Sequence, residues 1–194
     1  HAWRDRGNVL IPAFAVGRTQ ELLYWFARHW DAWKLSRWRI FLDSPMAAKV
    51  VNVYARHHGL FDEDARRVWA QSPNPFRLPN LHIVETTPQS MAINQVESGA
   101  IIIAGSGMAN GGRIQHHLRN NLGRRNAHVV FVGYQSEGTL GRRLVDGAQW
   151  VRIHGRDYRV NAQRHTVGGL SAHTHQQGLL AWYGNFQPAP PLVL

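Results

Sequence analysis

Three short segments combine glycine, serine and polar side chains in a pattern that suits anion chemistry. They are Ala104-Gly105-Ser106-Gly107-Met108-Ala109-Asn110-Gly111-Gly112, Gly133-Tyr134-Gln135-Ser136-Glu137-Gly138-Thr139-Leu140-Gly141, and Val167-Gly168-Gly169-Leu170-Ser171-Ala172-His173. Each is read as following a short apolar strand and preceding a stretch with helical character. Glycine-rich turns of that kind let backbone N–H groups approach an anion at the positive end of the following helix. A phosphate-bearing ligand is the first expectation. The third turn ends on His173, whose imidazole adds proton chemistry near neutrality.

Other constellations narrow the chemistry. The Gly105-Ser106-Gly107 turn with Gly111 has one residue too many for G-x-G-x-x-G, and the next strand ends in Gly133-Tyr134 without a ribose-binding carboxylate. No G-x-x-x-x-G-K segment exists, so a P-loop is excluded. Among the 12 histidines, the adjacent pairs His57-His58 and His116-His117 would diverge by about 100° on a helix and cannot easily chelate one ion. His173-Thr174-His175 begins like His-x-His-x-Asp-His but continues Gln176-Gln177-Gly178, with no further ligand. The residues themselves therefore offer no metal site. Asp43 and Ser44 either face a cleft at the end of a parallel strand or cap the helix that starts at Pro45. Arg18, in the first turn of a helix, either meets a phosphate or is simply solvated.

The elements that must hold these groups alternate. Strands are expected at Asn8–Phe14, Trp38–Leu42, Leu81–Glu85, Ala100–Ala104 and Ala127–Val132. Helices are expected at Gly17–Trp33, with Leu22, Leu23, Phe26 and Trp30 as its apolar face, and at Pro45–His58, Gln89–Glu97, Gly112–Leu122, Thr139–Leu144 and Gln176–Tyr183. Phe61–Pro79 reads as irregular, with one short helix before Ser72-Pro73-Asn74-Pro75. Such alternation implies an α/β fold with a parallel sheet covered on both faces. Trp150–Ile153 and Tyr158–Ala162 flank a hairpin turn, and Pro191–Leu194 reads as a further strand.

Composition sets outer bounds. The 194 residues are 44% hydrophobic and 18% charged, a globular balance rather than a disordered one. There is no cysteine, so disulfides and thiolate metal sites are excluded. The formal charge of +10, nearly all of it arginine, favours polyanionic partners. No apolar run reaches the ~20 residues that span a bilayer, and His1-Ala2-Trp3-Arg4-Asp5-Arg6 does not read as a signal peptide. A cytoplasmic protein without membrane attachment is the expectation.

Taken in order, the segments resemble the β-CASP domain of RNA-processing nucleases with the metallo-β-lactamase fold. The resemblance rests on Leu10-Ile11-Pro12-Ala13-Phe14-Ala15-Val16-Gly17-Arg18-Thr19-Gln20-Glu21-Leu22-Leu23, Asp43-Ser44-Pro45-Met46-Ala47, Ser106-Gly107-Met108 with Gly111-Gly112-Arg113, and Gly133-Tyr134-Gln135 with Glu137-Gly138-Thr139-Leu140-Gly141. His165 through Ser171-Ala172-His173 resembles the family's motif B. The chain is most similar to bacterial and archaeal relatives of the polyadenylation-factor endonuclease, with RNase J more distant.

The resemblance implies a three-layer β-CASP domain over residues 1–155 and a short metallo-β-lactamase-fold segment over 156–194. It implies hydrolysis of RNA phosphodiesters with two zinc ions, whose His-x-His-x-Asp-His ligands, together with a motif A carboxylate, would precede His1. A motif C histidine would follow Leu194. On this expectation the chain alone is an inactive portion of a zinc-dependent ribonuclease, partnered by RNA and by the rest of its metallo-β-lactamase domain. A homodimer is left open. His173 is expected to protonate the leaving oxygen, and Arg18, Ser106, Gly107, Met108, Gly138, Thr139, His165 and Ser171 to contact substrate. Two other functions stay open: an RNA-binding pseudo-nuclease, and a hydrolase of small phosphoesters.

Overall fold

Apolar runs of four or five residues, too short for helices, carry the centre of the molecule. The computed structural model describes residues 1–71, 74, 76–170 and 174–186. Its strands are β1 (Val9–Pro12), β2 (Arg39–Asp43), β3 (Leu81–Ile83), β4 (Ala100–Ala104), β5 (His128–Phe131), β6 (Trp150–Ile153), β7 (Arg156–Arg159) and β8 (Gln163–Thr166). Six of them form one wholly parallel sheet in the order β3-β2-β4-β1-β5-β8. The helices are α1 (Arg18–Arg28), α2 (Pro45–Arg56), α3 (Glu63–Gln71), α4 (Thr87–Ala92), α5 (Arg113–Asn121), α6 (Leu140–Val145) and α7 (Gln176–Tyr183).

Side chains alternate across the sheet and divide the core in two. Ile11, Ile101 and Ile103 pack with Leu22, Leu23 and Phe26 of α1 and Ala47 and Val51 of α2. Their neighbours on the other face, Leu10 and Val129, pack with Ile114, Leu118 and Leu122 of the α5 segment and Leu144 of α6. Ile102 joins Val84 and Ile93 beside α4. Helices thus cover both faces, and the result is a three-layer α/β fold.

Element boundaries moved where the chain has to turn. The helix expected over 17–33 stops at Arg28, and left-handed Lys34 (φ 52°) swings the chain toward β2. The helix expected over 89–97 begins at Thr87, because Thr86 and Gln89 form a reciprocal capping box, and its last turn is 3₁₀ over Ile93–Gln95. The β6–β7 hairpin closes on two residues, His154 (φ 48°) and Gly155 (φ 77°), so β7 starts at Arg156 rather than Tyr158. Strand β8 was not foreseen. It pairs with β5 from His128↔Gln163 to Phe131↔Thr166. The strand expected at 191–194 lies outside the described residues.

Candidate functional site

In an open parallel sheet the connections from β1 and from its neighbours β4 and β5 leave on opposite faces. That parting opens a crevice beyond the carboxyl ends of the strands. Here the crevice is a cleft of about 1000 Å³, lined by Phe14, Arg18 and Glu21 after β1, Gly107 and Met108 after β4, Tyr134 to Ser136 and Arg142 after β5, and residues 166–170 after β8. Phe14 and Tyr134 are 47% and 70% exposed, so both rings are accessible at the cleft. Arg18 Nη1 bonds Glu21 Oε2 at 2.5 Å, and Arg142 Nε bonds both oxygens of Asp146 at 2.9 Å. Both guanidiniums are thereby held at the rim.

The glycine turns build the walls of this cleft by stapling to each other. Gly112 (φ +74°) lies so close to Gly105 that a Cβ would meet the Gly105 carbonyl oxygen at 2.3 Å. That closeness lets the Ser106 amide reach Gly111 O and the Ile114 amide reach Gly105 O, both at 3.0 Å. A Cβ on Gly107 would lie 2.6 Å from the Phe14 ring, so the missing side chain is what seats Phe14. The second turn is fastened to the first. Gln135 Nε2 donates to Gly107 O at 3.1 Å, the Leu140 amide to Asn110 Oδ1 at 2.7 Å, and the Gly141 amide to Met108 O at 3.0 Å. The Arg142 amide is taken by the Thr139 hydroxyl, which itself donates to Ser136 O at 2.7 Å. The first-turn amides of α6 are therefore spent inside the protein. Charge recognition in the cleft falls to side chains.

Of the residues singled out in the sequence, Arg18, Gly107 and Met108 line the cleft. Ser106 sits beside it with a buried hydroxyl that has no hydrogen-bond partner among the described residues. Gly138 (φ +78°) shapes the turn before α6, and Thr139 is the N-cap of that helix. His165 pairs instead with His128: Nε2 and Nδ1 are 2.9 Å apart and the rings are within 7° of parallel. His128 Nε2 lies 3.3 Å from Asp5 Oδ2, and burial and then His165 push the His128 pKa down against the opposing pull of Asp5. Ser171 and His173 lie outside the described residues. Phe14, Glu21, Tyr134 and Arg142 were missed in the sequence; Phe14 and Tyr134 were signalled by an aromatic just past a parallel strand, Glu21 and Arg142 by a charge near the start of the following helix.

The Asp43-Ser44 pair divides its roles. Ser44 caps α2, accepting from the Ala47 amide at 3.2 Å. Asp43 is fully buried and takes three side-chain bonds: from Ser90 Oγ at 2.6 Å, Arg113 Nη1 at 2.7 Å and His117 Nε2 at 2.6 Å. Burial alone would raise its pKa; those bonds outweigh it and hold the carboxyl below its ordinary range. Arg113 is the first residue of α5, so this network anchors the end of the Gly105–Gly112 loop. Among the described residues, no three or more His, Asp or Glu side chains gather to hold a metal ion. In the Asp5–His128–His165 grouping, both His128 ring nitrogens already face Asp5 and His165. The described residues thus do not fit a zinc centre.

Comparison with known proteins places this geometry. Residues 19–144 match the family model described as the Beta-Casp domain, and residues 157–194 match one described as the Zn-dependent metallo-hydrolase RNA specificity domain. The chain is 43% identical to ribonuclease TTHA0252 of Thermus thermophilus, over 97% of this chain and 42% of that protein. It is 30% identical to transcription termination factor FttA of Thermococcus kodakarensis, over 97% of this chain and 30% of that protein. FttA of Methanococcus maripaludis is 28% identical over 97% of this chain. The chain spans less than half the length of these curated relatives.

Proposed function

The chain belongs to the Beta-Casp family of nucleic-acid-processing metallo-hydrolases, and from that premise we propose that it forms one wall of the RNA cleft of a zinc-dependent ribonuclease. The carrying observation is the cleft itself, which sets two guanidiniums at its rim and two accessible aromatic rings, Phe14 and Tyr134, on its lining. Phosphates suit the first pair and bases the second. A small phosphoester would use only the charged part of such a surface. The zinc ions would be held by residues other than those described, and we take the boundary between the β-CASP domain and the metallo-β-lactamase-fold segment to lie near residue 155, with β8 of the second part completing the sheet of the first.

In this reading His173 delivers the proton that the leaving oxygen needs as the P–O bond breaks. The neighbouring β8 tail, residues 166–170, brings the chain to the cleft just before that histidine. Cleavage of labelled RNA by the intact protein, lost on chelation and restored by zinc, tests the activity. His173→Ala should slow turnover about 100-fold or more while leaving RNA affinity in place. Arg142→Gln should weaken binding evenly across sequences and reduce the salt slope by about 0.7. RNA binding without any zinc-dependent cleavage would leave only a non-catalytic module.

A further inference from the structure

Helix α1 leads out of the cleft. Positions 18, 21, 25 and 29 recur every three or four residues and so share one face. Arg18 and Glu21 belong to the cleft lining. From Arg18 to His29 the helix advances about 16 Å. Along that path the rings of Trp25 and His29 stack with centroids 5.4 Å apart and planes within 6°, and His29 and Trp33 with centroids 4.8 Å apart and planes within 20°. Trp33 ends the ladder with 47% of its surface exposed.

Cations flank the ladder. The Arg28 guanidinium lies 5.3 Å over the Trp25 ring and donates to the Tyr24 hydroxyl at 3.0 Å. Arg28 also lines a second cavity of about 320 Å³, shared with Trp30, Val68 of α3, Asn74 and Arg77. Among the described residues no carboxylate lines that cavity, and neither Arg28 nor Arg77 has an acidic partner. The core face of α1 is Leu22, Leu23 and Phe26, and the ladder meets the core side through edge contacts alone, Trp33 on Phe26 and Trp25 on the partly buried Tyr24. A stack of rings that ends on the exposed Trp33, beside guanidiniums without an acidic partner, matches a flexible polyanion with π faces.

We propose that this face of α1, from Arg18 past Trp25, Arg28, His29 and Trp33 to the cavity at Arg77, is an exosite for single-stranded RNA. It holds the part of the strand that lies outside the cleft, bases extending the ring ladder and phosphates meeting the two arginines. The proposal rests on the RNA reading of the cleft.

Anisotropy of labelled oligouridylates from about 4 to about 16 nucleotides, titrated with the intact protein, tests it. Wild-type affinity should rise a second time once the RNA is long enough to leave the cleft. His29→Ala with Trp33→Ala should weaken the longest RNA about tenfold and leave the shortest unchanged. Arg28→Gln with Arg77→Gln alters only exposed side chains and should lower the salt slope for the long RNA alone, by about 1.4. Arg18→Gln should weaken both lengths. If both paired variants bind long RNA as the wild type does while Arg18→Gln weakens both lengths, the exosite is refuted and the cleft stands. If the wild type binds neither length, both readings fall.

Discussion

Replacing Asp43 with asparagine tests the buried network that ties β2 to the cleft loop. The change keeps the shape and removes the charge that Ser90, Arg113 and His117 share. A hydrogen bond to a charged group is worth about 1.5–3 kcal/mol, and breaking a fully buried ion pair costs about 3–5 kcal/mol. Two facts pull toward the lower end. Arg113 is 22% exposed, and it keeps the carbonyls of Val84 and Glu85 at 3.1 and 2.8 Å. The new amide oxygen can also still accept one of the three donors. We expect Asp43→Asn to destabilise by about 3 kcal/mol, which in a chain of this size lowers Tm by about 6–12 °C.

The same variant carries a pH signature. The folded pKa of Asp43 lies below the unfolded value of about 3.9, so its stabilisation is complete above that pH and is lost as pH falls through the folded value. The gap between wild type and Asp43→Asn should hold from neutral pH down to about 4 and narrow below it. Urea unfolding followed by circular dichroism across that range reads both quantities. A loss at pH 7 under about 1 kcal/mol, no larger than an ordinary neutral hydrogen bond, would refute the reasoning.

Two further substitutions probe the walls and the edge of the sheet. Gly141→Ala would place a Cβ 1.8 Å from Gln135 Oε1 and 3.0 Å from the Met108 carbonyl, so it should cost about 1–3 kcal/mol by overpacking and weaken RNA binding, because Gln135 staples the two cleft turns; unchanged melting and affinity would remove Gln135 from that role. His128→Gln should flatten the acid side of the stability profile: burial and His165 lower the folded pKa of His128, so the unfolded chain binds more protons as pH drops below about 6.5 and wild-type stability falls there. Parallel pH profiles for the two proteins would sink that assignment.

What the sequence made legible was local. Leu10-Ile11 and Ile101-Ile102-Ile103 announce strands buried on both faces, and Leu22, Leu23 and Phe26 mark the core side of α1. Strand β8 was invisible because Gln163-Arg164-His165-Thr166 has no apolar pattern; its place is set by pairing with β5. Asp43 was read as a cleft residue or a cap because its partners lie 47, 70 and 74 residues away. The ladder at 25, 29 and 33 has a helical spacing that reads equally as core. What separates the two meanings is that Trp25 and His29 stay half-exposed and Trp33 is exposed.

The glycine turns show why pattern alone misplaces the chemistry. Glycines after parallel strands do permit close approach, but the partner that approaches here is the neighbouring turn, through Gln135, Asn110 and the amides of Leu140 and Gly141. A wall fastened in this way is stiff, and it keeps few polar groups free for a ligand. Even the Ser106 hydroxyl, unpartnered among the described residues, is buried in the wall rather than presented to the cleft. On the proposed reading, the strong anion contacts come from arginines at the rim and along α1, with Arg18 and Arg142 exchanging their pairs with Glu21 and Asp146 for a phosphate. Exchange of that kind binds a polyanion through many modest contacts rather than one deep pocket. It suits a surface that grips a strand while the bond to be broken is positioned elsewhere.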